Sequence, residues 1–458
     1  MAYSSNKGRK RNEHASRVSH SKIIRNPAIQ QLLQSINFPK GLEEIDFSKV
    51  SYQEISQKEM FDYIIAIDGG YSEVSVKKSF PSSSLSFFQF GAVLLRKEDL
   101  VNLKESEFIS TEMMKNVRNV EQDNFCLPLN NMIYKDNDDF ETSFREALFD
   151  LFFNKESGSD YSMIDNLYWL VFKKYKSNFD IREEDRYYNL ASCPNPDCEN
   201  IRIRIEENKM KDKYISSCNE CGEKIYLTDI FRLFEIVDNE QGASGVMGYI
   251  TNVLEHFMLL SLLRDIYEKQ PSLLEKTLFV KDGPLGFFGQ TANIHKLFRE
   301  LLVYFEKEKR NINMVGVEKS GVFVEHALMI EDVVPDHSAL FLSNQYINSN
   351  IKPTNNLNKQ YAPSSYYSGK MIFKAQKGYV YVASIPSKSN SYYNSGSISE
   401  LIGDVEKILS TLALLKSNSY ENSLLPISVI NQAVSISQKP GVSILEKFTK
   451  QEIQKSNK

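Results

Sequence analysis

Short apolar runs that end on an aspartate followed by glycine are the most informative pattern in this chain. Residues 63–67 are mostly β-branched or aromatic and predict a buried strand, which ends on Asp68 before two glycines. Residues 277–281 repeat the pattern and lead to Asp282 before a Gly-Pro turn. Each aspartate taken singly is also typical of an ordinary turn. Because Mg²⁺ and Mn²⁺ prefer oxygen ligands, the pair predicts a shared divalent-metal site.

Periodicity elsewhere alternates between strand and helix and predicts an α/β fold. The region around residues 100–190 is expected to contain helical and acidic segments. Residues 344–369, rich in Asn, Ser, Pro and Tyr, are expected to form a long functional loop or lid. Strands are predicted at 86–96, 313–317 and 338–342 and as a hairpin over 370–385, and helices at 139–154, 165–176, 247–269, 297–309, 400–417 and 425–437. No G-x-x-x-x-G-K-[ST] motif is present, so P-loop hydrolysis of nucleoside triphosphates is not expected.

Composition is that of an ordinary globular chain. The 458 residues are 41% hydrophobic and 25% charged, which allows one large α/β domain with insertions or three smaller domains. The net charge of −4 is no general signature of nucleic-acid binding. We see no apolar run of the ~18 residues that a membrane span needs and no secretory signal, so a cytoplasmic protein without a membrane partner is predicted.

The first 25 residues carry seven Lys or Arg residues against the single acidic Glu13. This balance predicts a disordered basic arm, either in contact with phosphate groups or solvated without a partner. We take residues 1–60 as this arm and its lead-in.

Four of the five cysteines form one pattern, C-x4-C and C-x2-C separated by nineteen residues: Cys193, Cys198, Cys218 and Cys221. The alternating stretch between the pairs predicts a hairpin, and two cysteine turns at its ends fit tetrahedral Zn²⁺ in a structural site. Disulfides are the competing interpretation, against which a cytosolic setting argues. The module covers residues 187–226, and Cys126 is interpreted as a core residue.

A third acidic ligand is predicted on the long helix at 247–269. At ~1.5 Å per helical residue and ~3.3 Å per strand residue, Glu255 is about level with Asp282 if helix and strand run antiparallel. Glu268 is the alternative ligand, and an ordinary exposed glutamate is the competing interpretation of Glu255.

Together these segments resemble the NurA nucleases, which are DNA-end-processing enzymes with an RNase H-like fold. The resemblance spans about residues 61–448 and rests on AIDGGYSE (66–73), EQGASGVMGYITNVLEH (240–256), FVKDGPLGFFGQTANIHK (279–296) and VGVEKSGVFVEHA (315–327). It implies a nuclease domain over 61–458 with an RNase H-like mixed sheet flanked by helices, and a zinc ribbon inserted as in bacterial members. It also implies that Asp68 and Asp282 bind Mn²⁺ or Mg²⁺ and that Glu255 completes the acidic set.

One position departs from the family pattern. Members often carry a late histidine, and residues 423–435 have Asn431 and Gln432 where it is expected. An amide orients a phosphate or a water but does not shuttle protons as imidazole does. Lys319 and Lys374, each near the end of a predicted strand, are the candidates to hold the scissile phosphate, with solvated strand ends as the alternative.

The resemblance implies a two-metal deoxyribonuclease with 5′-to-3′ exonuclease and single-strand endonuclease activity. It further implies a homodimer that acts on DNA with a hexameric HerA-type ATPase, in repair or antiphage defence. Two alternatives stay open: a catalytically silent scaffold that binds DNA or docks the motor, and an RNA-cleaving enzyme.

Overall fold

The structure, a computed structural model, describes residues 22–76, 83–104, 120–155, 159–211, 213–416, 424–436 and 441–456. The predicted basic arm falls mostly outside this range. Only Lys22 and Arg25 of its seven basic residues are among the described residues.

Strands of the described chain form one large mixed sheet and two small hairpins. They are β1 (Gln53–Glu54), β2 (Tyr63–Ser75), β3 (Ser84–Arg96), β4 (Val120–Asn130), β5 (Tyr187–Ser192), β6 (Ile201–Glu206), β7 (Ile215–Ser217), β8 (Lys224–Tyr226), β9 (Thr277–Asp282), β10 (Asn313–Glu318), β11 (Ser338–Phe341), β12 (Ser368–Gln376) and β13 (Tyr379–Pro386). The large sheet has nine strands in the order β1-β11-β12-β13-β10-β9-β2-β3-β4, and β5-β6 and β7-β8 are the hairpins.

Helices cover both faces of the large sheet. They are α1 (Pro27–Ser35), α2 (Lys97–Lys104), α3 (Phe140–Leu151), α4 (Met163–Val171), α5 (Glu207–Met210), α6 (Met247–Lys269), α7 (Ile294–Lys307), α8 (Val322–Met329), α9 (Asn344–Tyr346), α10 (Tyr392–Ser395), α11 (Val405–Leu414), α12 (Leu425–Val434) and α13 (Gly441–Ser456). The predicted lid begins with α9 and a π-helical turn, Ile347–Ile351.

Three parallel strands form the centre of the sheet. β9 lies between β2 and β10, with Ile67 opposite Lys281 and Val317 opposite Asp282. The next residue of β2 after Ile67 is Asp68, so this register brings Asp68 level with Asp282. Neighbouring strands are about 4.8 Å apart, and the two aspartates therefore meet at one end of the sheet.

Alternation along the central strands divides the core into two layers. Ile65, Ile67 and Phe279 pack in the apolar cluster that contains helices α3, α4, α6 and α7. Ile64 and Val280 pack in the other cluster, with α8, α11 and α12. A strand places successive side chains on opposite faces, so these central strands are buried on both sides.

Most predicted elements are confirmed, but two strand predictions are wrong. β2 does not end at Asp68: it continues through both glycines to Ser75, because β3 pairs with it along its whole length, from Arg96 to Ser84. β4 lies in the region around 100–190, where helical and acidic segments but no strand were predicted, and it pairs antiparallel with β3. Long-range pairing overrides local propensity in both cases.

One helix of the described chain is long and apolar enough to cross a membrane by length and composition alone. Among helices of the described chain, Ser244–Lys269 passes on length and composition, with a mean hydropathy of 1.4. Its most apolar window is 72% buried inside the structure, because α6 is the core helix of the α3–α4–α7 layer.

A buried arginine joins the cysteine module to this layer. Arg145 of α3 is 5% exposed and forms ion pairs with Asp229 (2.8 Å) and Glu223 (2.7 Å), and it donates to the carbonyl oxygen of Lys224 (2.6 Å). Asp229 is itself 4% exposed, so Arg145 is the counter-charge that its burial requires.

We expect Arg145→Met to lower the free energy of unfolding by about 3–5 kcal/mol, because Asp229 is left buried without its partner. Urea denaturation measures the loss. Arg182→Met is the matched control, because Arg182 pairs with Glu184 while both side chains are more than half exposed; its effect should stay within about 1 kcal/mol. Equal effects in the two variants would contradict the role given to Arg145.

Candidate metal centres

Asp68 and Asp282 face the same side of the sheet, towards α12. The alternation of β2 and β9 places them with Ala66 and Val280, which pack in the α12 layer. Asp68 is 8% exposed, although it carries a carboxylate in the interior of a thirteen-residue strand. Two carboxylates therefore lie side by side on neighbouring parallel strands.

Glu255 approaches the same strand ends from the opposite face, on α6. It is 7% exposed, and it packs against Gly69, where a Cβ atom would lie 3.3 Å from its Cγ and 3.4 Å from its Oε1. The same Cβ would lie 3.0 Å from the Cβ of Phe90. Because Gly69 has no side chain, Glu255 of the α6 layer can approach β2 at this position. The neighbouring Asp68 faces the other layer, towards α12.

Each of the three carboxylates has its own polar partner. Lys281 Nζ forms an ion pair with Glu255 Oε2 at 2.5 Å, and Lys319 Nζ forms one with Asp282 Oδ2 at 2.7 Å. The Asn431 amide of α12, with its nitrogen towards Asp68 and its oxygen towards Lys319, donates to Asp68 Oδ2 and accepts from Lys319 Nζ. Sequence reasoning missed Lys281, although its position beside Asp282 in the strand was visible.

Burial and repulsion between neighbouring carboxylates disfavour ionisation of Asp68 and Glu255. Burial, followed by repulsion from Asp282 and Glu255, raises the pKa of Asp68 to about 8. Burial also raises the pKa of Glu255, while Lys281 opposes that rise. A divalent cation would remove this repulsion, and oxygen donors of this kind suit Mn²⁺ and Mg²⁺, so the donor set fits such an ion.

The structure brings some predicted residues together and separates others. Lys319 and Asn431 lie with the two aspartates, whereas Gln432 is exposed. Glu268 pairs with Arg264 of its own helix at 2.9 Å. Lys374 is not at the carboxylates: it donates to the carbonyl oxygens of Glu331 and Val334 and pairs with Asp336.

The four predicted cysteines form a cluster. Among the described residues, their ligand atoms lie close enough together to hold a metal ion. Its four Sγ atoms lie within 4.8 Å of one another. The Cys193–Cys221 and Cys198–Cys218 pairs are 3.6 and 3.9 Å apart. Tetrahedral Zn²⁺ with Zn–S distances of ~2.3 Å requires Sγ atoms ~3.8 Å apart, so the cluster fits a structural zinc ion.

Each cysteine pair lies at the turn of its own hairpin. Cys193 and Cys198 join β5 to β6, and Cys218 and Cys221 join β7 to β8. The prediction of one hairpin between the two cysteine pairs is wrong. β6 pairs with β5 and β7 pairs with β8, and the short helix α5 lies between β6 and β7. The interpretation of Cys126 as a core residue is wrong as well, since its side chain is exposed on the edge strand β4.

The turn between β7 and β8 favours the thiolate form of Cys218. Burial opposes ionisation of Cys218, but hydrogen bonds from the Cys221 and Glu220 backbones and from Asn200 outweigh it and lower the pKa of this thiol to about 6. The Asn200 amide nitrogen is 3.4 Å from Cys218 Sγ. Thiolates are the form that binds zinc.

Comparison with known proteins gives structural neighbours only. No protein-family model matches the chain, and no curated protein matches it. The fold is similar to the NurA nuclease of Sulfolobus solfataricus, with 10% identity, a TM-score of 0.33 and coverage of 96% of this chain and 98% of that one. A structure of NurA with manganese shows 12% identity, a TM-score of 0.27 and coverage of 94% of each chain.

We expect Asp68→Asn to stabilise the chelator-treated protein increasingly as pH rises from 5 to 8.5. The folded pKa of about 8 lies above the usual ~3.9 of an unfolded aspartate, so between these values only the folded state holds the proton. Stability contributed by this carboxyl is therefore complete below pH ~4 and is lost as pH rises through the folded pKa. Melting temperatures of both proteins across the pH series measure the difference. A difference that stays constant with pH would contradict the assignment.

We expect about one Zn²⁺ per chain in the purified protein and its loss in Cys218→Ser, with a lower melting temperature, because structural zinc contributes directly to folding. Metal content by inductively coupled plasma mass spectrometry checks this. Cys126→Ser, which changes a cysteine outside the cluster, should retain the zinc. Full zinc content in Cys218→Ser would remove this residue from the ligand set.

Proposed function

We propose that this protein is a metal-dependent nuclease that hydrolyses phosphodiester bonds in DNA. The observation that carries the proposal is the buried Asp68, whose pKa is raised by burial and by the neighbouring Asp282 and Glu255. Strongly perturbed carboxyl groups of this kind cluster at functional sites. A divalent cation bound here would stabilise the ionised form of Asp68, and metal binding would therefore explain why a carboxyl group is buried at this position.

Asp68, Asp282 and Glu255 are the residues that would hold the metal. The chemistry that Mn²⁺ or Mg²⁺ would supply there is activation of a water as the nucleophile and stabilisation of the departing oxygen, and a two-metal arrangement is part of the proposal. These acidic residues come from both layers of the fold. Two lie on strands and one lies on a helix, and packing in the core fixes these elements. Rigid elements keep such ligands in place.

Lys319 and Asn431 are proposed to orient the scissile phosphate. Lys319 is the more accessible of the two lysines at the site, with 30% of its side chain exposed against 2% for Lys281. Its ammonium group lies between Asp282 and the Asn431 amide, where it is available to a phosphate oxygen. Lys374 is omitted from this role because its ammonium group is bound by carbonyl oxygens.

The finer assignments belong to the same proposal. We assign an RNase H-like fold to residues 61–458, which is supported by a meander of three antiparallel strands extended by the parallel strands β9 and β10. Residues 187–226 would be the inserted zinc ribbon and residues 1–60 the basic arm and lead-in. The sequence resemblance adds a cytoplasmic homodimer with exonuclease and single-strand endonuclease activity, which acts with a HerA-type ATPase hexamer in repair or antiphage defence.

A catalytically silent scaffold is the second candidate function. It is favoured by the internal partners of all three carboxylates: Lys281 and Lys319 offset two of the negative charges, and the Asn431 amide donates to Asp68. It is favoured too by an asparagine at a position where a histidine is expected. A scaffold of this kind needs no Mn²⁺ at Asp68 or Asp282.

We expect Mn²⁺-dependent degradation of end-labelled linear duplex or single-stranded DNA by the purified chain, and its loss in Asp68→Asn and Asp282→Asn, which remove proposed ligands. Lys319→Met should lower kcat by about 10²–10³-fold, as removal of one charge-stabilising group does. Glu255→Gln removes the third proposed ligand and should also lose activity. Glu268→Gln on the same helix is its matched control and should remain active, because Glu268 pairs with Arg264 instead.

Labelled RNA is included as a competing substrate, and preferential RNA cleavage would favour the RNA-cleaving alternative. Cleavage that persists in both aspartate variants would overturn the nuclease site. Absence of cleavage and of Mn²⁺ binding, with or without a HerA-type ATPase, would favour the scaffold.

A further inference from the structure

Lys281 is a buried lysine that the proposed reaction does not use directly. It precedes Asp282 in β9, so its side chain points to the opposite face, into the α6 layer, and is 2% exposed. Its Nζ contacts Glu255 Oε2 at 2.5 Å and donates to the Asp282 backbone carbonyl oxygen at 2.8 Å. One ammonium group therefore connects the helix carboxylate to the strand end that carries the second acid.

Stability does not account for this ion pair. Both partners are buried on the face of the sheet that packs against α6, where Phe279 and Leu254 belong to the apolar cluster. Replacement of a buried ion pair by apolar residues of similar volume is often neutral or stabilising, because desolvation offsets the attraction. An apolar residue at 281 would thus suit the core, and the lysine calls for a functional explanation.

Lys281 also determines where the Glu255 carboxylate lies. Glu255 Oε2 is taken by the lysine, while Oε1 is on the side of Gly69, 3.4 Å from where a Cβ of that residue would be. Because Gly69 directly follows Asp68, this orientation turns one glutamate oxygen towards the end of the sheet where the aspartates meet. Rotation of Glu255 away from the lysine would leave a buried charge without its partner.

We propose that Lys281 is a positioning residue for the metal site: it fixes the Glu255 carboxylate so that this helix residue acts as a ligand together with Asp68 and Asp282. This inference rests on the proposed function, because it requires a cation at that site. Lys281 contacts no metal in this scheme and acts only through Glu255. Partners that orient metal ligands in this way are typically worth about 10–100-fold in metal affinity.

Mn²⁺ binding without DNA tests the proposal and needs no catalytic activity. Free Mn²⁺ is followed by electron paramagnetic resonance in titrations of the native chain, Lys281→Met, Glu255→Gln and the double variant. We expect Lys281→Met to weaken binding about 10–100-fold. In the Glu255→Gln background the same change should have no further effect, since Lys281 acts through Glu255. Unchanged or tighter binding in Lys281→Met, or independent losses in the double variant, would overturn the proposal.

Two further variants separate a local effect from general damage and from failure of the metal site itself. Lys374→Met removes another buried lysine, one that donates to carbonyl oxygens, and should leave Mn²⁺ affinity unchanged; a matching loss there would overturn the role of Lys281. Binding by the native chain that does not depend on Asp68, shown with Asp68→Asn, would reject the proposed function and this inference together. Binding that depends on Asp68 but not on Lys281 would reject this inference alone. If Lys281→Met does not fold, Lys281→Gln, which keeps a donor, replaces it in the cycle.

Discussion

Burial of negative charge at one end of the central sheet is the constraint on which the rest of the site depends. Asp68 is 8% exposed, and it stands inside a strand whose backbone pairs with β3 on both sides of this residue along the chain. Burial, followed by repulsion from Asp282 and Glu255, raises its pKa to about 8. Lys281, Lys319 and Asn431 each contact one of the three carboxylates, as a fold that buries such groups requires.

The sheet determines which residues can meet there. Because β2, β9 and β10 are parallel and in close register, three strands bring Asp68, Asp282 and Lys319 to one end and one face. The two helix layers then contribute one polar residue from each side, Glu255 from α6 and Asn431 from α12. Gly69 makes this convergence possible, since any larger residue would fill the space beside Glu255. The site is therefore a property of both layers together.

The cysteine module is part of the same core. Cys193 and Cys218 are buried in the cluster that contains α3, α4 and α6, together with Ile203 and Ile225 of the hairpins. Arg145 adds charged contacts from α3 to the chain on either side of β8. A metal ion at the cysteines would thus stabilise the layer from which Glu255 projects, which links the two candidate centres through packing.

Local features of the sequence determined much of this structure. The apolar runs that end at aspartates, the spacing of the four cysteines and the helix at Met247–Lys269 are each encoded by residue type and short-range spacing, and each was predicted. Glu255 was preferred to Glu268 by counting residues along a helix, and the structure brings Glu255 to the strand ends. These features depend on residue type and short-range periodicity, and both can be read from a single sequence.

Only the tertiary structure decided the pairings. β2 continues past Asp68 because β3 lies beside it, and β4 is a strand because it pairs with β3, although no strand was predicted there. Lys281 and Lys374 are similar in sequence context, each a lysine in an apolar strand. Lys281 pairs with the buried Glu255, whereas Lys374 donates to two carbonyl oxygens and pairs with Asp336, whose side chain is 53% exposed. The partner of a strand or of a buried charge comes from residues distant in the chain. Short-range pattern therefore predicts an element but not what that element contacts.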